Sequence, residues 1–407
     1  MRKADTALMR AIRYLIACVL LCVGIAGNTA AKSSMPAELP APRIGVITMA
    51  PGEIFWERFG HDAIVVDDPS LEEPISYNFG FFDMGESGFI ERFVRGRMEY
   101  VLVALPLAQD MQYYRGVGRG ARIQWLALGP EQARQLAADL AENAKPENSR
   151  YRYDYYTDNC ATRVRDALDR ALEGQLKRQL DGRSSGDTYR SESLRLASPA
   201  PWMWLGFDIA LGPYADRRLT RWEQAFLPRA LSEDLRKVAT AGGKPIVTSE
   251  QEVLPHWQAA EPESQAQKIL PWLLTGMGLA IFIVFSAGRT PRTLAVIASM
   301  FWLVCGTIGF VLAFAWAFTD HYALWANRNL LLFNPLCLFL LPGAWCKPPP
   351  SRHFELLLKL ITVIAALACL PLWLQALPQR NGAWIALLLP IHAGFALAWS
   401  SPRRIGV

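Results

Sequence analysis

The 407-residue sequence predicts an exported α+β domain followed by an all-α transmembrane bundle of about five helices, and three observations carry that prediction. Charge is segregated: the 140 residues from Lys268 to Val407 hold only 12 of the chain's 79 charged side chains, ten basic and two acidic, so the two parts suit different solvents. The N-terminus reads as an export signal, with Arg2, Lys3, Arg10 and Arg13 ahead of an apolar run from Tyr14 to Ile25 and small residues up to Ala30 and Ala31, after which cleavage is expected. Beyond Gln267 come five apolar stretches, about Ile269 to Ser286, Leu294 to Phe318, Leu330 to Trp345, Leu356 to Leu377 and Ala383 to Ser400. A helix needs about 17–25 residues to cross the hydrocarbon core, so four of the five qualify and the third sits at the lower edge. With the exported part outside, Arg289, Arg292, Lys347, Arg352, Arg403 and Arg404 fall on the cytoplasmic side and only Arg328 and Arg380 on the other, the bias of a membrane protein in that orientation.

The expected organisation is therefore a signal at 1–31, an exported domain at 32–235, a polar linker at 236–268 and a membrane domain at 269–407. The exported part carries a net charge of −6, and the excess positive charge of the chain lies in its apolar part. A basic nucleic-acid surface is not indicated. Of seven cysteines, two lie in the signal and four in the membrane part, which leaves Cys160 alone in the exported region. No disulfide can form within that region, and a solitary thiol in an oxidising compartment asks for another explanation, a buried inert side chain being the plainest.

Alternating apolar patterns predict strands at Ile44 to Met49, His61 to Val66, Ile75 to Phe82, Tyr100 to Leu105, Arg122 to Leu128 and Arg150 to Tyr155. Pro130 opens a helix that runs to about Ala144. Thr157-Asp158-Asn159 supplies N-cap chemistry for a second helix, from about Cys160 to Leu172, closed by Gly174. Gly182 to Gly186 reads as a loop. Arg92, Arg95 and Arg97 read as a solvated helix face, with phosphate binding as the alternative. Trp202, Met203 and Trp204 suit either the lipid interface or the interior of the exported domain.

Cys160 falls in the first turn of its helix, where unpaired backbone N–H groups and the positive end of the dipole favour thiolate over thiol. Nucleophilic catalysis also needs a base, and the exported region offers only His61, opening a strand directly after Gly60, and His256 in the linker. One cysteine and two histidines do not make a four-ligand zinc site, and no metal or cofactor is expected. Ser184 and Ser185 lack the G-x-S-x-G setting of a serine nucleophile.

The run Trp56-Glu57-Arg58-Phe59-Gly60-His61-Asp62, then Tyr77-Asn78-Phe79-Gly80, then Tyr153-Asp154-Tyr155-Tyr156-Thr157-Asp158-Asn159-Cys160, resembles the N-terminal periplasmic domain of the Lnb family, which is associated with lipoprotein N-acylation. The layout is also similar to circularly permuted NlpC-type, papain-like thiol enzymes, in which a histidine strand precedes a cysteine helix. In the membrane part, Asp320-His321 and Asn329-Leu330-Leu331 to Asn334-Pro335 resemble the family's loop after its second C-terminal membrane helix, although Tyr322 stands where a proline is expected after the histidine.

The resemblance implies a papain-like α+β fold with Cys160 as nucleophile and His61 as general base and acid. A third, orienting residue is expected on the strand after the His61 strand. A symmetric hairpin puts His61 opposite about Gly80 and Asn78 on the same face, whereas a slip of one residue selects Tyr77 or Phe79. The Asn78 amide oxygen would then accept Nδ1–H of His61. Asp320 and His321, at the periplasmic mouth of the membrane helices, are candidate substrate-binding residues. The activity implied is acyl transfer through a Cys160 thioester, from a phospholipid to the α-amine of a diacylglyceryl lipoprotein, at the outer face of a bacterial inner membrane. A peptidase or amidase acting on cell-wall peptides and a catalytically inactive membrane assembly protein are the alternatives.

Overall fold

The structure is a computed structural model that describes residues 40–264, 266–346, 351–370 and 379–400; the expected signal at 1–31, the connections at Lys347 and Arg403/Arg404, and 371–377 of the fourth apolar stretch lie outside the described residues. The N-terminal domain is built on seven strands, β1 (Arg43–Met49), β2 (His61–Asp67), β3 (Ile75–Phe81), β4 (Glu99–Pro106), β5 (Ala121–Leu126), β6 (Arg150–Arg152) and β9 (Val247–Leu254), in the order β6-β4-β3-β2-β1-β5-β9. All neighbours are antiparallel.

Period-two alternation gives this sheet two buried faces. Ile44, Val46, Ile64, Val66, Tyr77 and Phe79 pack under the helices α3 (Pro130–Asn143) and α4 (Cys160–Ala171). Ile47, Met49, Ala63 and Val65 pack on the other side against Met111 and Tyr114 of α2 (Leu107–Gly116). Between β3 and β4 lies α1 (Phe89–Arg95). After α4 come α5 (Gln175–Leu180), α6 (Tyr189–Ala197), α7 (Pro201–Ala210), α8 (Arg221–Gln224) and α9 (Pro228–Leu235), with β7 (Ser184–Thr188) and β8 (Arg218–Thr220) forming a two-stranded sheet.

Two expectations change here. The segment 236–268 is more than a linker, because Val247–Leu254 pairs with β5 as an edge strand of the main sheet; its outward polar residues hide the strand from a search for apolar alternation. The expected loop around Ser184 is strand β7, paired with β8.

Among the described residues three helices are long and apolar enough to cross a membrane, α10 (Ile269–Ser286), α11 (Pro291–Phe318) and α13 (Gly382–Ser400), and α12 (Arg352–Leu367) is shorter. The third expected helix, Leu330 to Trp345, is not an α-helix. It consists of 3-10 turns at Arg328–Leu331, Pro335–Leu340 and Pro342–Trp345. Pro335 and Pro342 remove the N–H groups an α-helical ladder would need, and Asn334 bonds the Leu336 N–H in their place. The segment runs antiparallel to α11: a Cβ on Gly309 would meet the Phe333 carbonyl, one on Gly306 would meet Leu338, and Trp345 Nε1 bonds Ser299 Oγ at 3.0 Å.

Candidate active site

The turn from Asp154 to Asn159 fixes where α4 begins. Asp154 Oδ1 accepts from the Tyr156 and Thr157 backbone N–H groups at 2.9 and 2.8 Å, closing the turn. Asn159 caps α4 by accepting from the Thr162 N–H at 2.9 Å, while Thr162 Oγ1 accepts from the Asn159 N–H at 2.7 Å. The Asn159 amide also donates to the carbonyls of Tyr155 and Phe226. Cys160 is thereby locked as the first helical residue, as its sequence position predicts.

His61 begins β2, and the β2–β3 register pairs Ala63 with Asn78, so that continuing the ladder brings His61 level with Gly80. Asn78 Oδ1 and His61 Nε2 lie 3.1 Å apart. Here the structure corrects the expected ring nitrogen: Nε2, not Nδ1, meets the amide. The network fixes the tautomer. Asn78 Nδ2 donates to Asp110 Oδ2 and Ser76 Oγ, both at 3.0 Å, and Ser76 Oγ donates to Asp110 Oδ2 at 2.8 Å. Since the Asp110 carboxylate can only accept, the Asn78 amide nitrogen faces it, the oxygen faces His61, Nε2 carries the proton and Nδ1 keeps its lone pair.

Gly80 connects the two halves of the site. Its φ of +100° and the bulge between Phe79 and Phe81 turn it toward α4, and a Cβ there would lie 3.8 Å from Cys160 Cβ, from Tyr151 Oη and from Tyr153. The backbone N–H groups of Asp62, the residue after His61, of Ala161 and of Cys160 itself favour the anion of the Cys160 sulfur. Among the described residues no hydrogen bond joins the sulfur to the His61 ring. The structure thus brings His61 and Asn78 into direct contact and Cys160 to the same end of the sheet.

Burial dominates both titrating groups, although each keeps part of its surface open. It pushes the Cys160 thiol up to about 12, against the pull of the three backbone N–H groups. This reverses the expected thiolate: removal from water outweighs the helix start. Burial likewise lowers His61 to about 4, with Asp110 raising it, Arg119 lowering it and the Asn78 bond raising it. Both groups therefore rest neutral, a thiol and an imidazole.

Asp320 and His321 lie elsewhere. Asp320 Oδ2 bonds Arg97 Nε and Arg152 Nη2, both at 2.8 Å, and its N–H donates to the Arg95 carbonyl. His321 Nε2 donates to the Phe93 carbonyl at 2.9 Å, and its ring stacks on Tyr155. Gly96 admits this loop, since a Cβ there would come within 2.9 Å of the His321 nitrogen. Further along, Tyr322 Oη donates to Asp154 Oδ1 at 2.7 Å. Asn327 and Asn329 donate to the Ile209 carbonyl at 2.8 and 2.9 Å, Gln379 bonds Asn327, and Asn381 bonds Asn329. Trp384 Nε1 donates to Asp208 Oδ2 at 2.9 Å. Both connections expected on the periplasmic side therefore meet the N-terminal domain.

Aromatic side chains gather on the segments before His61 and after Gly80. Trp56, half exposed, lies edge-on to Phe82, and Phe55 stacks on Trp202, which is 66% exposed. Trp204 approaches Trp272 of α10, so α7 follows the membrane end of the molecule. An open cleft of about 620 Å³ lies between α1 and α11, lined by Ile90, Val94, Phe314 and Phe318 with Glu91, Arg95 and Arg97. Arg92, Arg95 and Arg97 pair with Glu86, Glu91 and Asp320. Sequence reasoning missed Asp110, Ser76 and Tyr151. Only the Tyr151-Tyr153-Tyr155 alternation offered a signal.

Two family profiles match the chain: the Lnb N-terminal periplasmic domain over residues 37–195, and the Lnb transmembrane domain over residues 269–401. No curated protein and no solved structure matches it.

Proposed function

The chain belongs to the Lnb family, a multi-pass inner-membrane protein with its N-terminal domain in the periplasm, and on that premise we propose that it is a thiol acyltransferase acting on lipoproteins. In this reading Cys160 takes an acyl chain from a phospholipid as a thioester, and the α-amine of a diacylglyceryl lipoprotein then accepts it. One observation carries the choice of a lipid substrate. Arg152, between the two tyrosines that face Cys160, bonds Asp320, which lies two residues beyond the end of the membrane helix α11 at Phe318. The strand beside Cys160 is thus joined by an ion pair to the end of a membrane span. The aromatic cluster of Phe55, Trp56, Phe82 and Trp202 and the apolar cleft beside Phe314 and Phe318 support the same reading, since acyl chains need apolar walls and a cell-wall peptide does not.

His61 Nδ1 takes the thiol proton as the sulfur attacks the ester carbonyl, and Asn78 holds the ring in the tautomer that leaves Nδ1 free. Collapse of the adduct expels the lysolipid alkoxide, which recovers the proton from His61. The amine then attacks the thioester, and its proton passes through His61 to the departing thiolate. Transfer wins over hydrolysis where both reactants are confined to the bilayer surface and water is scarce. Asp320 and His321 enter this reading as substrate-side residues through the loop that joins the site to the membrane.

The test uses the full chain in mixed micelles with phospholipid and a diacylated lipopeptide. A hydroxylamine-sensitive acyl adduct on Cys160 and an N-acylated lipopeptide are expected, both lost in Cys160→Ser. Free fatty acid alone would make it a lipase or thioesterase, and cleavage of peptidoglycan fragments without a lipid adduct would make it an amidase.

A further inference from the structure

Tyr151 carries a hydroxyl that the fold leaves idle. Its oxygen is buried and makes no hydrogen bond with any described residue, whereas Tyr156 Oη nearby has Ser193 Oγ at 3.0 Å. The ring is held firmly. Tyr151 pairs with Tyr100 in the β4–β6 ladder, the Arg163 guanidinium lies 4.1 Å from its ring centre, and Phe79 meets it edge-on at 6.2 Å. Arg163 is itself fixed by its ion pair with Asp158. A phenylalanine would fill the same space without an unpaired polar atom, so packing does not explain the hydroxyl.

Its surroundings do. Tyr151 Oη and Cys160 Cβ each lie 3.8 Å from the point where a Gly80 Cβ would be, so both face the small gap that a glycine leaves open. Burial raises the pKa of this phenol, with the nearby Cys160 acting in the same direction, so the group stays protonated and available as a donor.

We propose that Tyr151 Oη–H donates a hydrogen bond to the oxyanion that forms when Cys160 attacks an acyl carbonyl. In that step the sulfur–carbon bond forms, the carbonyl π pair moves onto oxygen, and the thiol proton goes to His61 Nδ1. On collapse the pair returns, the carbon–oxygen bond to the leaving group breaks, and the leaving oxygen takes the proton back from His61. The Cys160 backbone N–H, at the first position of α4, supplies the companion donor.

This inference rests on Cys160 as an acyl-accepting nucleophile but not on which lipid supplies the chain, and the experiment keeps the two apart. Full-length protein in detergent is acylated with a p-nitrophenyl fatty ester, followed by nitrophenolate release and intact mass. In parallel it is alkylated with iodoacetamide, a displacement that passes through no oxyanion. Tyr151→Phe is expected to slow acylation about 10²-fold, to leave alkylation within about twofold and to leave the melting temperature unchanged or higher. Site-specific 3,5-difluorotyrosine at 151, a stronger donor of nearly the same shape, should change the acylation rate and not the alkylation rate. Unchanged acylation in both variants overturns the proposal, and acylation and alkylation falling together makes Tyr151 a packing residue. A wild-type protein that alkylates but never acylates overturns the thioester reading itself, and this inference with it.

Discussion

In the proposed mechanism, Asn78→Ala isolates the group that orients the base. The side chain is buried and makes three good hydrogen bonds, to His61 at 3.1 Å and to Ser76 Oγ and Asp110 Oδ2 at 3.0 Å. At about 1 kcal/mol each, their loss comes to about 3 kcal/mol. Asp110 keeps its bond from Ser76 Oγ at 2.8 Å, so its carboxylate is not left bare, and the figure needs no further penalty for that group. For a domain of this size about 3 kcal/mol lowers the melting temperature by about 6–12 °C. The kinetic effect has a different origin. Without the amide oxygen nothing holds the proton on Nε2, the ring samples the wrong tautomer, and acylation of Cys160 should slow on the order of 10²–10⁴-fold. Thermal melting of the detergent-solubilised protein gives the first number, and single-turnover acylation measured well below the melting point gives the second. A variant that melts at the lower temperature yet acylates within about threefold of wild type would refute the orienting role and leave Asn78 as a packing residue.

The pH dependence follows from burial. With His61 near 4, the base is free from about pH 5 upward, so the acid limb of acylation should centre near 4; with the thiol near 12, iodoacetamide labelling should keep rising through pH 10, and a plateau at neutral pH would contradict the structure. Folding stability carries two opposed contributions. Lowered His61 means that stability is lost as pH falls from about 6.5 toward 4, whereas Asp62, raised to about 7 by burial, means that stability is lost as pH rises from about 4 to 7. Asp62→Asn should therefore make urea midpoints climb from pH 4 to 6.5 more steeply than in wild type; an identical slope would show that Asp62 is ionised in the folded protein. Asp320→Ala removes the partner of Arg97 and Arg152 and should raise hydrogen exchange across Asp320 to Trp325, while slowing acylation by phospholipid and sparing acylation by a short water-soluble ester. Equal losses with both donors would show that the loop shapes the thiol site itself.

Much of this site could be read from local rules. Asn159 and Thr162 cap α4 through contacts three residues apart, so Cys160 as first helical residue follows from the sequence alone. The hairpin symmetry that paired Ala63 with Asn78 follows from the length between two alternating runs. Properties that depend on distant chain were not readable. Asp110 reaches Asn78 from a helix 32 residues away with no motif to announce it, and the thiol's shift depends on how much protein surrounds it rather than on the helix it starts. Strand β9 shows a polar outer surface typical of an edge, and the proline-interrupted segment along α11 keeps the composition of a membrane helix while losing its geometry.

The shared hydrogen bonds among Asn327, Asn329, Gln379 and Asn381 and the carbonyl of Ile209 make the N-terminal domain a fixture of the bilayer rather than a float tied to it. A float would sweep a range of heights and could meet a bond anywhere along a lipid. A fixture works at one altitude. The reactive bond of any lipid must come to that plane, and whatever hangs below it is out of reach of selection. On this geometry the proposed acyltransferase would discriminate by where along the molecule an ester sits and be indifferent to the length of the chain beneath it, and changing the thickness of the bilayer would shift the working plane as surely as changing the substrate.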